Sequence, residues 1–147
     1  MKTKPHLTAL ILSSALALAV PFAMAADLTV TVNDLRSTKG DLLVSVVNSE
    51  EGWNNQATPV AAEKLAVAEK STDGKSLQVK FTLPAGKYAV QVLHDENENG
   101  KMDFNTLGIP TEGHGASNNP VVMRRPHFSE TVFELKESPT AIEVQMQ

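Results

Sequence analysis

Apolar and polar side chains alternate one for one through most of this chain. Over residues 27–34 (DLTVTVND), Leu28, Val30 and Val32 fall on one face and Thr29 and Thr31 on the other, the period-two pattern of a half-buried strand rich in β-branched residues. Residues 76–83 (SLQVKFTL) repeat it, with Leu77, Val79, Phe81 and Leu83 inward and Gln78, Lys80 and Thr82 outward. The near-continuous apolar run after Gly40 (DLLVSVV) reads as a central strand. KYAVQVLHD, TVFEL and TAIEVQM continue the theme, the last with Ile142, Val144 and Met146 on one side.

One segment is ambiguous. Residues 59–70 (PVAAEKLAVAEK) contain the helix formers Ala, Glu and Lys, but their length and the following STDGKS turn favour a short strand in a hairpin. In LPAGKY, Pro84 presets φ for a turn and Gly86 ends it. Tyr88 follows, the one tyrosine of the chain, placed as in the tyrosine corner of immunoglobulin-like sandwiches, where the hydroxyl bonds back to upstream backbone. About seven strands separated by turns, with little helix, predict an antiparallel sandwich.

The amino-terminal residues change the picture of where this sandwich works. Lys2 and Lys4 precede an apolar run over residues 7–20, then Pro21 and the small-residue pattern Ala23-Met24-Ala25. That is a secretory signal over residues 1–25. The run is too short to span a bilayer, which takes roughly 20 residues, so residues 26–147 are expected to form one exported domain, periplasmic or secreted. Without Lys2 and Lys4 the chain keeps 11 basic residues against 17 acidic ones. The resulting negative balance argues against nucleic acid or an anionic membrane surface as partner. With no cysteine, no disulfide can form, and stability rests on the core and on any bound ligand.

Residues 94–119 (HDENENGKMDFNTLGIPTEGHGASNN) break the alternation with Asp, Asn and Gly. From Asp95 the spacing is D-x-N-x-N-G-x-x-D, through Asn97, Asn99, Gly100 and Asp103. Loops that wrap Ca²⁺ place side-chain oxygens at alternate positions, a glycine at the sixth and a further ligand at the ninth. The twelfth position, a bidentate Glu in an EF-hand, is Thr106 here, and the flanks are not helical. The candidate metal ligands are therefore Asp95, Asn97, Asn99 and Asp103, two carboxylates and two amides, fitting weak Ca²⁺ binding of the extracellular kind, Kd roughly 10⁻⁴ to 10⁻³ M. Glu112 is available to fold back as a further carboxylate. The competing reading is an ion-free Asx and Asn-Gly turn. Met102, Phe104, Leu107 and Ile109 predict that the loop folds back onto the sandwich edge.

The glycines at 108, 113 and 115 form no phosphate-binding motif. No G-x-S-x-G or H-E-x-x-H pattern is present either, so a small periplasmic hydrolase built on His94-Asp95, His127 and Ser129 is an alternative carried by residue types alone, and no enzyme is expected. His94 at a strand end reads as a loop anchor. His94, His114 and His127 match no transition-metal spacing. Arg124 and Arg125 in RRPHF read as a solvated edge. Trp53, in SEEGWNNQ, either caps the core or stacks on a sugar, which makes a glycan- or small-ligand-binding module a second alternative.

The run from Leu83 to Asn119 closely resembles the signature of domain-of-unknown-function family 2141, exported bacterial proteins of about this length. That signature pairs L-P-x-G-x-Y-A-V with H-D-x-N-x-N-G-x-x-D and G-I-P-x-E-G-x-G-x-S-N-N. The chain departs from it at His114 and Ala116, where the pattern carries aromatic residues. The resemblance implies an all-β, immunoglobulin-like or transthyretin-like sandwich, here with one long structured loop. The expected function is an exported binding or structural module of the cell envelope, its partner an envelope component or a small ligand.

Overall fold

A computed structural model describes residues 24–147. Apart from Met24 and Ala25, the segment read as a leader lies outside the described residues. Among the described residues eight strands form two packed sheets. The first sheet has the order β4-β1-β8, from Leu77–Pro84, Ala25–Asn33 and Thr140–Gln145. The second has the order β3-β2-β5-β6, from Ala61–Ala66, Asp41–Val47, Gly86–Asp95 and Gly113–Ala116, with β7 (Phe133–Leu135) paired to the start of β5. Neighbours run antiparallel except β8, which pairs parallel to β1. Three single-turn helices, α1 (Glu50–Trp53), α2 (Val67–Lys70) and α3 (Phe128–Thr131), lie in the connections.

The alternation decides which residues meet between the sheets. Leu28, Val30 and Val32 of β1, Val79 and Phe81 of β4, and Val144 of β8 face Leu42, Val44, Val46, Val90 and Val92 from the other sheet. A one-residue slip in any of these strands would turn its apolar set to solvent, so the core pins the register. The ambiguous 59–70 segment divides: Ala61–Ala66 is the edge strand β3 and the next four residues close into α2, whose Val67 is fully buried.

Tyr88 forms the corner expected of it. The chain crosses between sheets from β4 to β5, and the phenol there donates to the Pro84 carbonyl at 2.9 Å. The ring packs over Gly86, where a Cβ would lie 3.3 Å from it. Burial pushes the Tyr88 hydroxyl pKa above its usual value.

The strand beyond the seven expected, β6, lies in the glycine-rich stretch, where alternating hydrophobicity gives no signal. In β6, Gly113 and Gly115 pair with His94 and Val92 and share their inward face. A Cβ on Gly115 would come within 2.6 Å of the Val144 side chain and 2.9 Å of the Gln145 carbonyl. These glycines thus let β8 approach β6 closely, and the edges of the two sheets exchange hydrogen bonds, Gln147 N–H to the His114 carbonyl at 2.8 Å among them. Because the neighbour is partly backbone, it cannot step aside. Gly115→Ala is expected to destabilise the fold by about 1–3 kcal/mol, read as a lower urea midpoint; an unchanged midpoint would show that the two edges are not in tight contact there.

Candidate functional site: a groove walled by the acidic loop

The acidic loop leaves β5 at Asp95 and is held from within. Asp95 is fully buried, and its two carboxylate oxygens accept the Asn99 and Gly100 N–H groups at 3.0 and 2.7 Å. Gly100 turns at φ 78°, as the sixth position requires, and Glu98 before it holds φ 60°. One oxygen of Asp103 lies 2.6 Å from the Asn97 amide and 2.8 Å from the Asn99 amide. The side chains at the third, fifth and ninth positions therefore meet at one point. An amide presents either its oxygen or its nitrogen there by turning about its last bond.

Glu112 closes the loop from the far end. It is 5% exposed, and its carboxylate accepts from Glu96 N–H at 3.1 Å and from Asp103 N–H at 3.2 Å. Two buried carboxylates thus share one loop, and among the described residues neither forms a salt bridge. Backbone donors satisfy them. Among the described residues no three His, Cys, Asp or Glu side chains cluster in a metal-holding arrangement.

The tip of the loop departs from expectation. Asn105 organises it, its side-chain oxygen accepting from Leu107 and Ile109 N–H. Phe104 is bridged to Pro110 across the tip. Phe104, Leu107 and Ile109 are 59%, 80% and 55% exposed, so they do not bury themselves against the sandwich. The local hydrogen bonds set the tip's shape and leave its apolar side chains standing free.

Phe104 and Ile109 stand at the rim of a groove that sequence reasoning did not find. Its floor is the outer face of the second sheet, with half-buried Leu43 and Leu93 beside Gln91 and Ala116. One wall is the acidic loop through Met102, Phe104 and Ile109, and the other is the 120–126 segment through Val122 and Met123. The enclosed volume is about 870 Å³, inside the roughly 300–1,000 Å³ of small-molecule sites. The legible part of this signal was the apolar content of two loops; which face they flank is a tertiary fact.

Both walls depend on three polar residues, Ser117, Asn118 and Asn119, that follow β6. Ser117 accepts from Val90 N–H at 2.9 Å and donates to the Thr131 carbonyl at 2.5 Å. The Asn118 amide donates to the Val132 carbonyl at 2.9 Å. Asn119 accepts from Gln145 N–H at 2.8 Å and donates to the Glu143 carbonyl at 3.0 Å. Both asparagines hold positive φ, 63° and 48°, a conformation Asn tolerates better than most residues.

Trp53 is 3% exposed, so its ring is not open for stacking on a sugar. It packs with Val47 and Ala89 on the outer face of the sheet, next to Phe128, and its indole N–H donates to the Pro126 carbonyl at 2.8 Å. The core-capping reading describes it, although the core it caps is a small second cluster outside the sandwich. The two arginines are engaged rather than merely solvated. Arg124 forks onto Glu130 at 2.8 and 2.9 Å. Arg125 lies 5.6 Å over the Trp53 ring and donates to the Trp53 carbonyl and, at 3.2 Å, to the Gln91 side-chain oxygen.

The histidines do not converge. His94 is fully buried at the inner end of β5, its Nε2 2.8 Å from the Lys39 carbonyl, which is the loop-anchoring role expected of it. Its Nδ1 has no hydrogen-bond partner; the Glu96 carboxylate lies 3.9 Å away. His114 pairs with Leu93 and so faces the groove, on the opposite side of the sheet. His127 precedes α3, where its N–H donates to Glu130 at 2.7 Å.

The Arg124–Glu130 fork fastens the second wall to α3, and its pH response follows. Arg124 hydrogen bonds, then the His127 N–H, hold the Glu130 carboxyl at about 2, down from 4.5. A carboxyl depressed in the folded state stabilises above its unfolded pKa, and that contribution is lost as pH falls from about 4.5 through about 2. Carboxyl NMR titration should place the Glu130 midpoint near 2, and Arg124→Ala should raise it toward 4.5; a wild-type midpoint already near 4.5 would mean the fork is not formed in solution.

No curated protein and no solved structure matches this chain. A family model does, over residues 30–143, a span that runs from within β1 to within β8 and takes in the acidic loop and both groove walls. The chain belongs to the family described as uncharacterized protein conserved in bacteria, DUF2141.

Proposed function

We propose that the chain is an exported, periplasmic binding module whose ligand surface is the groove on the outer face of the second sheet. One observation carries this reading: two loops present exposed apolar side chains toward each other across a ligand-sized hollow, with Phe104 59% and Met123 106% exposed. Contiguous apolar surface of that kind is unfavourable in water unless something covers it. The charged start, apolar run and A-x-A pattern of residues 1–25 support export.

The 95–103 loop serves this module as a weak Ca²⁺-type site. Asp95 and Asp103 supply charge, Asn97 and Asn99 neutral oxygen, and Gly100 the turn. Two buried carboxylates, Asp95 and Glu112, with no salt bridge among the described residues, add negative potential that a divalent cation offsets. Binding would stiffen the wall that carries Met102 and Phe104.

Each half has its own test. A neutral naphthylamine fluorophore should brighten with the mature protein, and the paired variant Phe104→Ser, Met123→Ser should remove most of the signal; an undiminished signal in that variant would move the ligand surface elsewhere. For the loop, 1 mM Ca²⁺ against a Kd near 0.1 mM is worth about 1.4 kcal/mol. That corresponds to a melting temperature raised by roughly 5 °C. Asp95→Asn and Asp103→Ala should abolish the rise, whereas identical midpoints in Ca²⁺, Mg²⁺ and chelator would leave the ion-free turn as the correct description.

A further inference from the structure

The charge lining the groove is out of character with the chain. The protein as a whole is acidic, with formal charge −4, and the loop forming one wall is rich in Asp and Glu. Yet among the side chains that line the groove there is no Asp or Glu, while Lys101, Arg124 and Arg125 all do. Asp95 and Glu112 turn their carboxylates to the wall's own N–H groups, and Lys101, Met102, Phe104 and Ile109 line the hollow.

Arg125 is the cation best placed to meet a ligand. Arg124 is neutralised by its fork with Glu130. Arg125 forms no salt bridge among the described residues; its contacts are neutral acceptors and the Trp53 face. Partial burial pushes its pKa below the ordinary value. A planar guanidinium in this position offers a fork to a carboxylate. With Arg124 occupied and Lys101 on the opposite wall, a headgroup of one negative charge matches it better than a dianion.

The remainder of the groove is apolar and adaptable. Leu43 and Leu93 make the floor, and Met102 and Met123 face it from the two walls. Unbranched, polarisable methionine side chains conform to flexible chains rather than to one rigid shape.

Building on the binding-module reading, we infer that the groove is a site for a fatty carboxylate: the unbranched acyl chain lies between the walls over Leu43 and Leu93, and its carboxylate pairs with Arg125 beside Trp53.

Trp53 is the one tryptophan of the chain, so its emission reports events at Arg125. The mature protein is titrated with decanoate, decanol and decyl phosphate, below the concentrations at which they aggregate, following Trp53 emission and heat. Decanoate should bind at least tenfold more tightly than decanol and no less tightly than decyl phosphate. Arg125→Gln should weaken decanoate about tenfold or more, since a hydrogen bond to a charged group is lost, and leave decanol unchanged, while Arg125→Lys should retain the preference for the acid. Equal affinity for decanoate and decanol overturns the inference but leaves a neutral binding module standing. Preference for decyl phosphate overturns it in favour of a phosphate head. Failure of all three to bind removes the binding-module reading as well. The comparison of headgroups on the unmutated chain holds even where Arg125→Gln lowers stability, and a melt of each variant separates lost folding from lost binding.

Discussion

Everything on the outer face of this protein hangs on how β6 is fastened. The strand is four residues long and two of them are glycine, so it has few side chains with which to hold itself in the sheet. Ser117, Asn118 and Asn119 supply what it lacks. Their side chains reach backbone groups of β5, of the α3–β7 connection and of β8, and Ser117 does so while 1% exposed. Buried backbone groups must find partners, and here three consecutive side chains provide them for three different elements. Both groove walls diverge from this point: the acidic loop enters β6 and the 120–126 segment leaves the clasp. Shifting β6 would therefore shift both walls and the β8 edge together.

The sandwich itself was legible because its strands obey a local rule. Leu28, Val30 and Val32, or Leu77, Val79 and Phe81, declare which face is inward without reference to any partner. The β6 segment obeys no such rule. At Gly115 β8 comes too close for a Cβ, a reason that resides about 30 residues away in the chain and leaves only glycine behind, which reads as loop. The parallel pairing of β8 with β1 was equally invisible, since periodicity specifies a face and not a direction. Tyr88 was legible because its constraint is local, four residues from its acceptor. Trp53 was legible as a core cap but not in its partners, because its cover comes from Pro126 and Arg125, more than seventy residues on.

The acidic loop occupies the middle ground. Its spacing put Asp95, Asn97, Asn99 and Asp103 in one cluster, and the side chains of Asn97, Asn99 and Asp103 do meet. What spacing could not convey was the degree of burial. Asp95 is fully enclosed and Glu112 nearly so, although both belong to a segment that composition would place in solvent. A buried carboxylate without hydrogen bonds would cost several kcal/mol, so the N–H groups of Glu96, Asn99, Gly100 and Asp103 are as much a part of the design as the acids. The glycine at 100 and the positive φ at Glu98 turn those donors inward. The same backbone that looks like a metal loop is thus a device for keeping carboxylates away from the neighbouring groove.

That separation bears on how an acidic protein could attract an acidic ligand. A net negative charge repels an anion only over distances at which the field survives, and at physiological ionic strength the screening length is about 8 Å. Inside that distance the nearest charges dominate, and the side chains lining the groove are basic or neutral. Apolar burial at roughly 0.8 kcal/mol per methylene would supply most of the affinity for an acyl chain and would do so equally for an alcohol or an acid. The discrimination between them has to come from Arg125, whose guanidinium lies over the Trp53 ring and, among the described residues, has no anion paired with it. Affinity and selectivity are in this way assigned to different parts of one groove, the first to Met102, Met123, Leu43 and Leu93, the second to a single cation held in place by Gln91 and the Trp53 carbonyl.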